Sequence, residues 1–160
     1  MKKLKTLYSI AIIFLLTSCG FTPMHIKSDL SKLQVRSISY TGADDLTYYL
    51  KSNLNINTSR AYNDGYTIKI KISEETSSVT KSTAGITTEE EVKVNINFSI
   101  FDKNNKRIGE DSISGSRVVS ITNNVSTDDE AKRIEKENII TNLIQQLTFS
   151  IRAKIISSQQ

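Results

Sequence analysis

Polar and apolar residues alternate between Tyr66 and Ile72. Tyr66, Ile68, Ile70 and Ile72 are apolar, and Thr67, Lys69 and Lys71 separate them. A period of two is the mark of a strand with one buried face. The pattern returns at 92–100, with Val92, Val94, Ile96, Phe98 and Ile100 inward and Lys93, Asn95, Asn97 and Ser99 outward. "DKNNK" at 102–106 has the composition of a hairpin turn. A further strand follows from Arg107 to about Ile121, with a bulge expected at Gly109, where the apolar parity shifts. A strand is also predicted at 33–40, where Leu33 and Val35 alternate before Ile38 breaks parity.

Two segments change period. After Thr41-Gly42, Leu46, Tyr49, Leu50, Asn53 and Leu54 recur at helical spacing, behind Asp44 and Asp45 at a helix start. That predicts a helix over 44–55. At the C-terminus Ala131, Ile134, Ile140, Ile144, Leu147, Ile151 and Ile155 form a stripe with steps of three and four, apart from one gap. The helix they predict covers 128–156, and Thr127 with Glu130 resembles a capping box. Two one-sided helices need an apolar surface, and the sheet offers one. The expected fold class is α+β: two helices on one face of a mostly antiparallel four-stranded sheet, in the order β-α-β-β-β-α. A single domain is expected over 31–160, with Ile70, Ile96, Phe98, Ile144 and Leu147 in its core.

Residues 73–91, "SEETSSVTKSTAGITTEEE", are almost without large apolar side chains. They read either as a surface loop or as a long polar hairpin turning near Ala84-Gly85. Such a hairpin needs a polar partner around it, for which a water-lined cavity is suitable.

The N-terminus has another kind of pattern. Lys2, Lys3 and Lys5 precede an apolar run from Leu7 to Leu16, which is too short to span a bilayer. This is the layout of a secretory signal peptide. Leu16-Thr17-Ser18-Cys19 resembles the bacterial lipobox, which implies cleavage between Ser18 and Cys19, lipidation of the Cys19 thiol and acylation of the new amino terminus. Gly20 is not acidic, which in such lipoproteins favours the outer membrane. Residues 1–18 are then the signal and 19–30 a lipidated tether. The formal charge of +4 falls to +1 when the three signal lysines leave, so charge gives no reason to expect nucleic acid. Cys19 is the single cysteine of the chain. Once acylated it leaves no thiol for a disulfide or a metal.

Catalytic chemistry finds little footing. His25 is the one histidine, in the tether, and has no second histidine or free thiol to form a dyad. The acids at 74–75, 89–91 and 128–130 read as solvated runs or a helix start. No enzyme activity, cofactor or metal is expected.

Cys19 followed by "GFTPM" resembles the "CGFxPLY" opening of the LPS-assembly lipoproteins (LptE), with Met24 and His25 in place of the usual Leu and Tyr. The element order is similar to that family's, as are "SISYTGADDLTYYLKSNL", "YTIKIKI" and "TDDEAKRIEKENIITNLIQQLTFSIRAKI". The resemblance covers nearly all of the mature chain. It implies a plug inside the LptD β-barrel that helps deliver lipopolysaccharide, and a barrel lumen is a polar partner for the 73–91 hairpin. The alternative is an accessory or activator lipoprotein on a different envelope machine. Lys69, Lys71 and Lys93 share an outward sheet face and Lys81 stands near it. They read either as contacts to lipopolysaccharide phosphates or as solvated lysines that blunt edge pairing.

Overall fold

The protein is described by a computed structural model covering residues 33–159. Cys19, Ser18 and the tether lie outside the described residues. Six elements follow one another: β1 (Val35–Gly42), α1 (Asp44–Asn53), β2 (Tyr66–Lys81), β3 (Thr87–Phe101), β4 (Arg107–Ser120) and α2 (Val125–Ser157). The sheet order is β1-β2-β3-β4. β1 runs parallel to β2, and the two later pairs are antiparallel. A parallel pair needs a crossover, which α1 and the segment after it supply. Both helices pack on the same side of the sheet, and the fold is the α+β arrangement expected.

The core lies between sheet and helices. Ile68, Ile70, Ile72, Val92, Val94, Ile96, Phe98 and Ile100 come from β2 and β3, and all are at most 2% exposed. Leu46 and Leu50 of α1 and Leu143, Leu147, Ile151 and Ile155 of α2 close it. The other sheet face is polar and carries no layer among the described residues, as an antiparallel sheet allows. The parity break in β1 has a local cause. Val35 pairs with Tyr66 and Ser37 with Thr67, so Arg36 is an extra residue that turns Ile38 back toward the core. The irregularity in β4 is next to the expected place. Ile100 pairs with Gly109 and Phe101 with Arg107, leaving Ile108 as the extra residue.

Three expectations need correction. Ile144 is half-buried, not buried, and Ile134 is 44% exposed. Leu143 and Ile139 take the inner positions, because the centre of the contact runs along 139, 143, 147, 151 and 155. The cap of α2 lies three residues earlier than predicted. Asn124 is the N-cap and its side chain accepts from the Thr127 amide, so Thr127 lies inside the first turn. The third correction concerns length: β2 reaches Lys81 and β3 begins at Thr87, against predicted limits of 72 and 92. Of the two readings of 73–91, the long hairpin is the one formed, and it turns at 82–86.

Candidate interaction surfaces

The hairpin is a ladder without a core of its own. From Glu74 to Lys81, β2 stays paired with β3. A turn closes it: Gly85 N–H donates to Ser82 O (2.9 Å) and Ser82 N–H to Ile86 O (2.8 Å). Gly85 has φ of +78°, a backbone region glycine enters without penalty. Polar side chains tie the strands together. Thr80 Oγ1 donates to Glu89 Oε2 at 2.6 Å, and the Ser78 and Thr87 hydroxyls are 3.0 Å apart. Register shifts fall between Ser78 and Lys81, where the ladder bends. Val79 and Ile86 leave more than half of their surface exposed near the tip.

On the helix side of the hairpin the contact is ionic. The inward row of β2 passes from Ile72 to Glu74, and that of β3 from Val92 to Glu90. The facing row of α2 passes from Ile140 to Lys136 and Lys132. Lys136 Nζ lies 2.5 Å from Glu74 and Lys132 Nζ 3.4 Å from Glu90. Asp129 also holds Lys132, at 3.2 Å. That hydrogen bond, with the attraction of Glu90, raises the Lys132 ammonium above its ordinary value against the cost of burial. One turn away, Arg133 bridges Glu130 and Glu137. The Arg133 bond holds the Glu130 carboxyl below its usual range. Glu74, Glu90, Asp129, Lys132, Arg133 and Lys136 line an open cleft of about 810 Å³ together with Asp44 and Asp45 of α1.

Asp128 is 5% exposed, a rare position for a carboxylate. Its Oδ1 accepts from the Thr122 amide and the Thr122 hydroxyl, both at 2.8 Å. The amide bond is the main reason its carboxyl is held low. Near the other end of the sheet, Asp111 accepts from its neighbour's amide at Ser112 (2.9 Å) and from Ser150 Oγ (3.0 Å), with Lys154 Nζ at 3.4 Å. The Ser112 bond leads the effects that hold its carboxyl low.

The four lysines expected to form a patch are not all together. Lys69 and Lys71 share the open face, and Lys69 Nζ lies 4.7 Å from the centre of the Phe101 ring, a cation–π contact. Lys93 is on the same face but opposite Glu75, while Lys71 is opposite Asn97. Four residues of β3 separate those positions, about 13 Å along a strand. Lys81 ends β2 beside the tip, ten residues beyond Lys71 or about 33 Å. The rest of the face is short and mostly uncharged: Ser39, Thr41, Ser73, Asn95, Ser114 and Ser116.

The ionic seam and the buried Asp128 were not anticipated. A signal was present for the seam. Lys132 and Lys136 continue the helix face of Ile140, Leu147 and Ile151, so the stripe turns from apolar to basic where the facing strands turn acidic. No signal marked Asp128, because burial depends on how the β4–α2 connection folds back.

No protein-family model matches the sequence, and no curated protein matches it. Solved structures do. The rare lipoprotein B from Shewanella oneidensis aligns with a TM-score of 0.60, over 78% of this chain and 100% of that one, at 13% identity. A minor lipoprotein from Acinetobacter baumannii reaches 0.55 over 76% and 93%, at 20% identity. Lipoprotein B from Nitrosomonas europaea reaches 0.56 over 79% and 88%, at 15% identity. This chain has the fold of those lipoproteins. At such identities the likeness is one of architecture.

Proposed function

We propose that the chain is an envelope lipoprotein, anchored through Cys19, that plugs and supports an LptD-type β-barrel in lipopolysaccharide assembly at the outer membrane. The fold it shares with three lipoproteins supports the first part, together with the lipobox at Leu16–Cys19. The observation that carries the barrel reading is the hairpin of 73–91. Beyond Thr76 it carries polar side chains past the end of the core, Val79 and Ile86 apart, which suits a polar lumen. The open face, rich in serine and asparagine, suits the same surroundings.

Affinity purification of the mature chain from an envelope extract tests the barrel reading. A large β-barrel recovered one-to-one is the expected result. A variant with 78–88 replaced by a tight turn is expected to keep its thermal transition, since it removes no core side chain, and to lose the barrel. Recovery of a peptidoglycan enzyme or a secretion channel instead would establish the accessory-lipoprotein alternative. Cys19→Ala tests the anchor separately. The variant is expected to remain an uncleaved precursor or to leave the outer-membrane fraction, read by fractionation and by the mass of the N-terminus.

A further inference from the structure

The chain enters the fold at one end of the sheet. Leu33 and Gln34 precede β1, and Tyr66 N–H donates to Gln34 O at 2.9 Å. The C-terminus of α2 reaches the same end, where Gln159 Nε2 donates to the Tyr66 hydroxyl at 3.1 Å. The 102–106 turn is there too, with Lys103 Nζ 3.1 Å from Asp64. The hairpin tip is at the opposite end, and the 16 residues of β2 between them span about 50 Å.

Charge is divided along this axis. Residues 33–39, 55–71, 99–111 and 150–159 hold nine lysines and arginines against four carboxylates. Residues 74–93 and 117–137 hold ten carboxylates against six cations. Among the described residues of the tether end, every carboxylate is already engaged. Asp64 takes Lys103, and Glu110 takes Arg107. Asp111 takes Lys154, while Asp102 accepts the turn amides of Asn104 and Lys106. Arg36, Arg60 and Lys106 remain exposed there with no carboxylate partner among the described residues. Residues 20–32 add Lys27 and Lys32 against Asp29.

We propose that, before any barrel is engaged, this basic end is a docking surface for anionic phospholipid headgroups, which stands the molecule upright on the bilayer with the hairpin pointing away. The proposal rests on lipidation at Cys19 for its geometry. Fourteen residues lead from Cys19 to Leu33, with an extended limit of about 50 Å. A tether of that length holds the domain near the surface but sets no orientation. Screening at physiological salt confines the attraction to about 8 Å, so the end face must approach the headgroups closely. The acidic hairpin end is repelled by the same surface, and the two forces turn the molecule in one sense.

The test uses mature acylated protein in vesicles of phosphatidylcholine alone or mixed with phosphatidylglycerol. Single thiols are introduced by Asn104→Cys at the basic end and Ala84→Cys at the tip. Each is labelled, and energy transfer to a headgroup dye is measured. The expected result is efficient transfer from 104 and weak transfer from 84 in the anionic vesicles. That difference is expected to be lost in phosphatidylcholine, in high salt, and in Arg36→Gln/Arg60→Gln/Lys106→Gln. Equal transfer from both sites in anionic vesicles overturns the proposal, as does a difference that ignores lipid charge. The mass of the N-terminus reports acylation independently. Unacylated mature chain sedimented with the two vesicle types decides the docking surface even where acylation is absent. Salt-sensitive binding to the anionic vesicles, lost in the triple variant, upholds it; no binding overturns it.

Discussion

Side-chain orientation at single residues separates a core position from its neighbour. Leu147 is fully buried and Ile144, one turn earlier on α2, is half-buried, although both lie on the predicted stripe. Leu147→Ala is expected to cost about 2–5 kcal/mol, since truncation leaves a cavity that the sheet cannot collapse into. Ile144→Ala keeps contact with solvent, and it is expected to cost clearly less. Urea denaturation of both variants checks the order, and equal costs would mean that α2 is rotated from the position described. Periodicity could find the stripe but not its centre. A stripe about three residues wide has an edge, and which residues form it depends on the angle at which the helix meets the sheet.

Elements owe their ends to polar bonds, and these bonds respond to pH. Asp128 ties the start of α2 to Thr122, Asp111 ties its last turns to β4, and Glu130 pairs with Arg133 within it. All three carboxyls are held below their ordinary values of 3.8 and 4.5 when folded. A lowered folded-state value means that the unfolded chain takes up protons first as pH falls. Their stabilisation is therefore present above pH 4.5 and is lost as pH falls through the ordinary values toward the folded ones. Lys132 is raised, so its contribution is present below 10.5 and is lost only as pH rises through its higher folded value. Thermal unfolding is expected to show a flat region between these limits. Asp128→Asn is expected to lower stability at neutral pH and to flatten the acid side of the profile; an unchanged acid slope would remove Asp128 from this account.

The whole molecule is a two-ended plate with one covered face and one open face. Of the four lysines considered for lipopolysaccharide phosphates, Lys69 and Lys71 are adjacent, Lys93 is opposite Glu75, and Lys81 is remote. Any phosphate contact on the open face therefore centres on the first two. Lys69→Gln/Lys71→Gln is expected to weaken binding to purified lipopolysaccharide and to reduce its dependence on salt, because exposed charges are screened. Lys81→Gln is expected to change neither. Equal affinity and equal salt dependence in parent and double variant would leave the pair as solvated surface. The base of the extension is held in line with the plate by the backbone ladder, which joins β3 to β4 as far as Glu89 and Ser120, and the ionic seam to α2 adds to it.

Alternation at 66–72 and 92–100, the turn at 102–106 and the stripe of α2 were legible as sequence, because a half-buried element writes its period into its own residues. The parity break at Ile38 was legible as well, and the bulge at Arg36 is its cause. Residues 73–91 were not decidable in that way. A polar strand and a polar loop have the same composition, and the choice depends on pairing partners elsewhere in the chain. Tertiary structure decided it through the continuous β2–β3 ladder and through Lys132 and Lys136, which meet Glu74 and Glu90 only when α2 lies across the sheet. It also decided that Asp128 is buried and that the charges divide between two ends. Both are consequences of which distant segments share a place in space, and no local period records that.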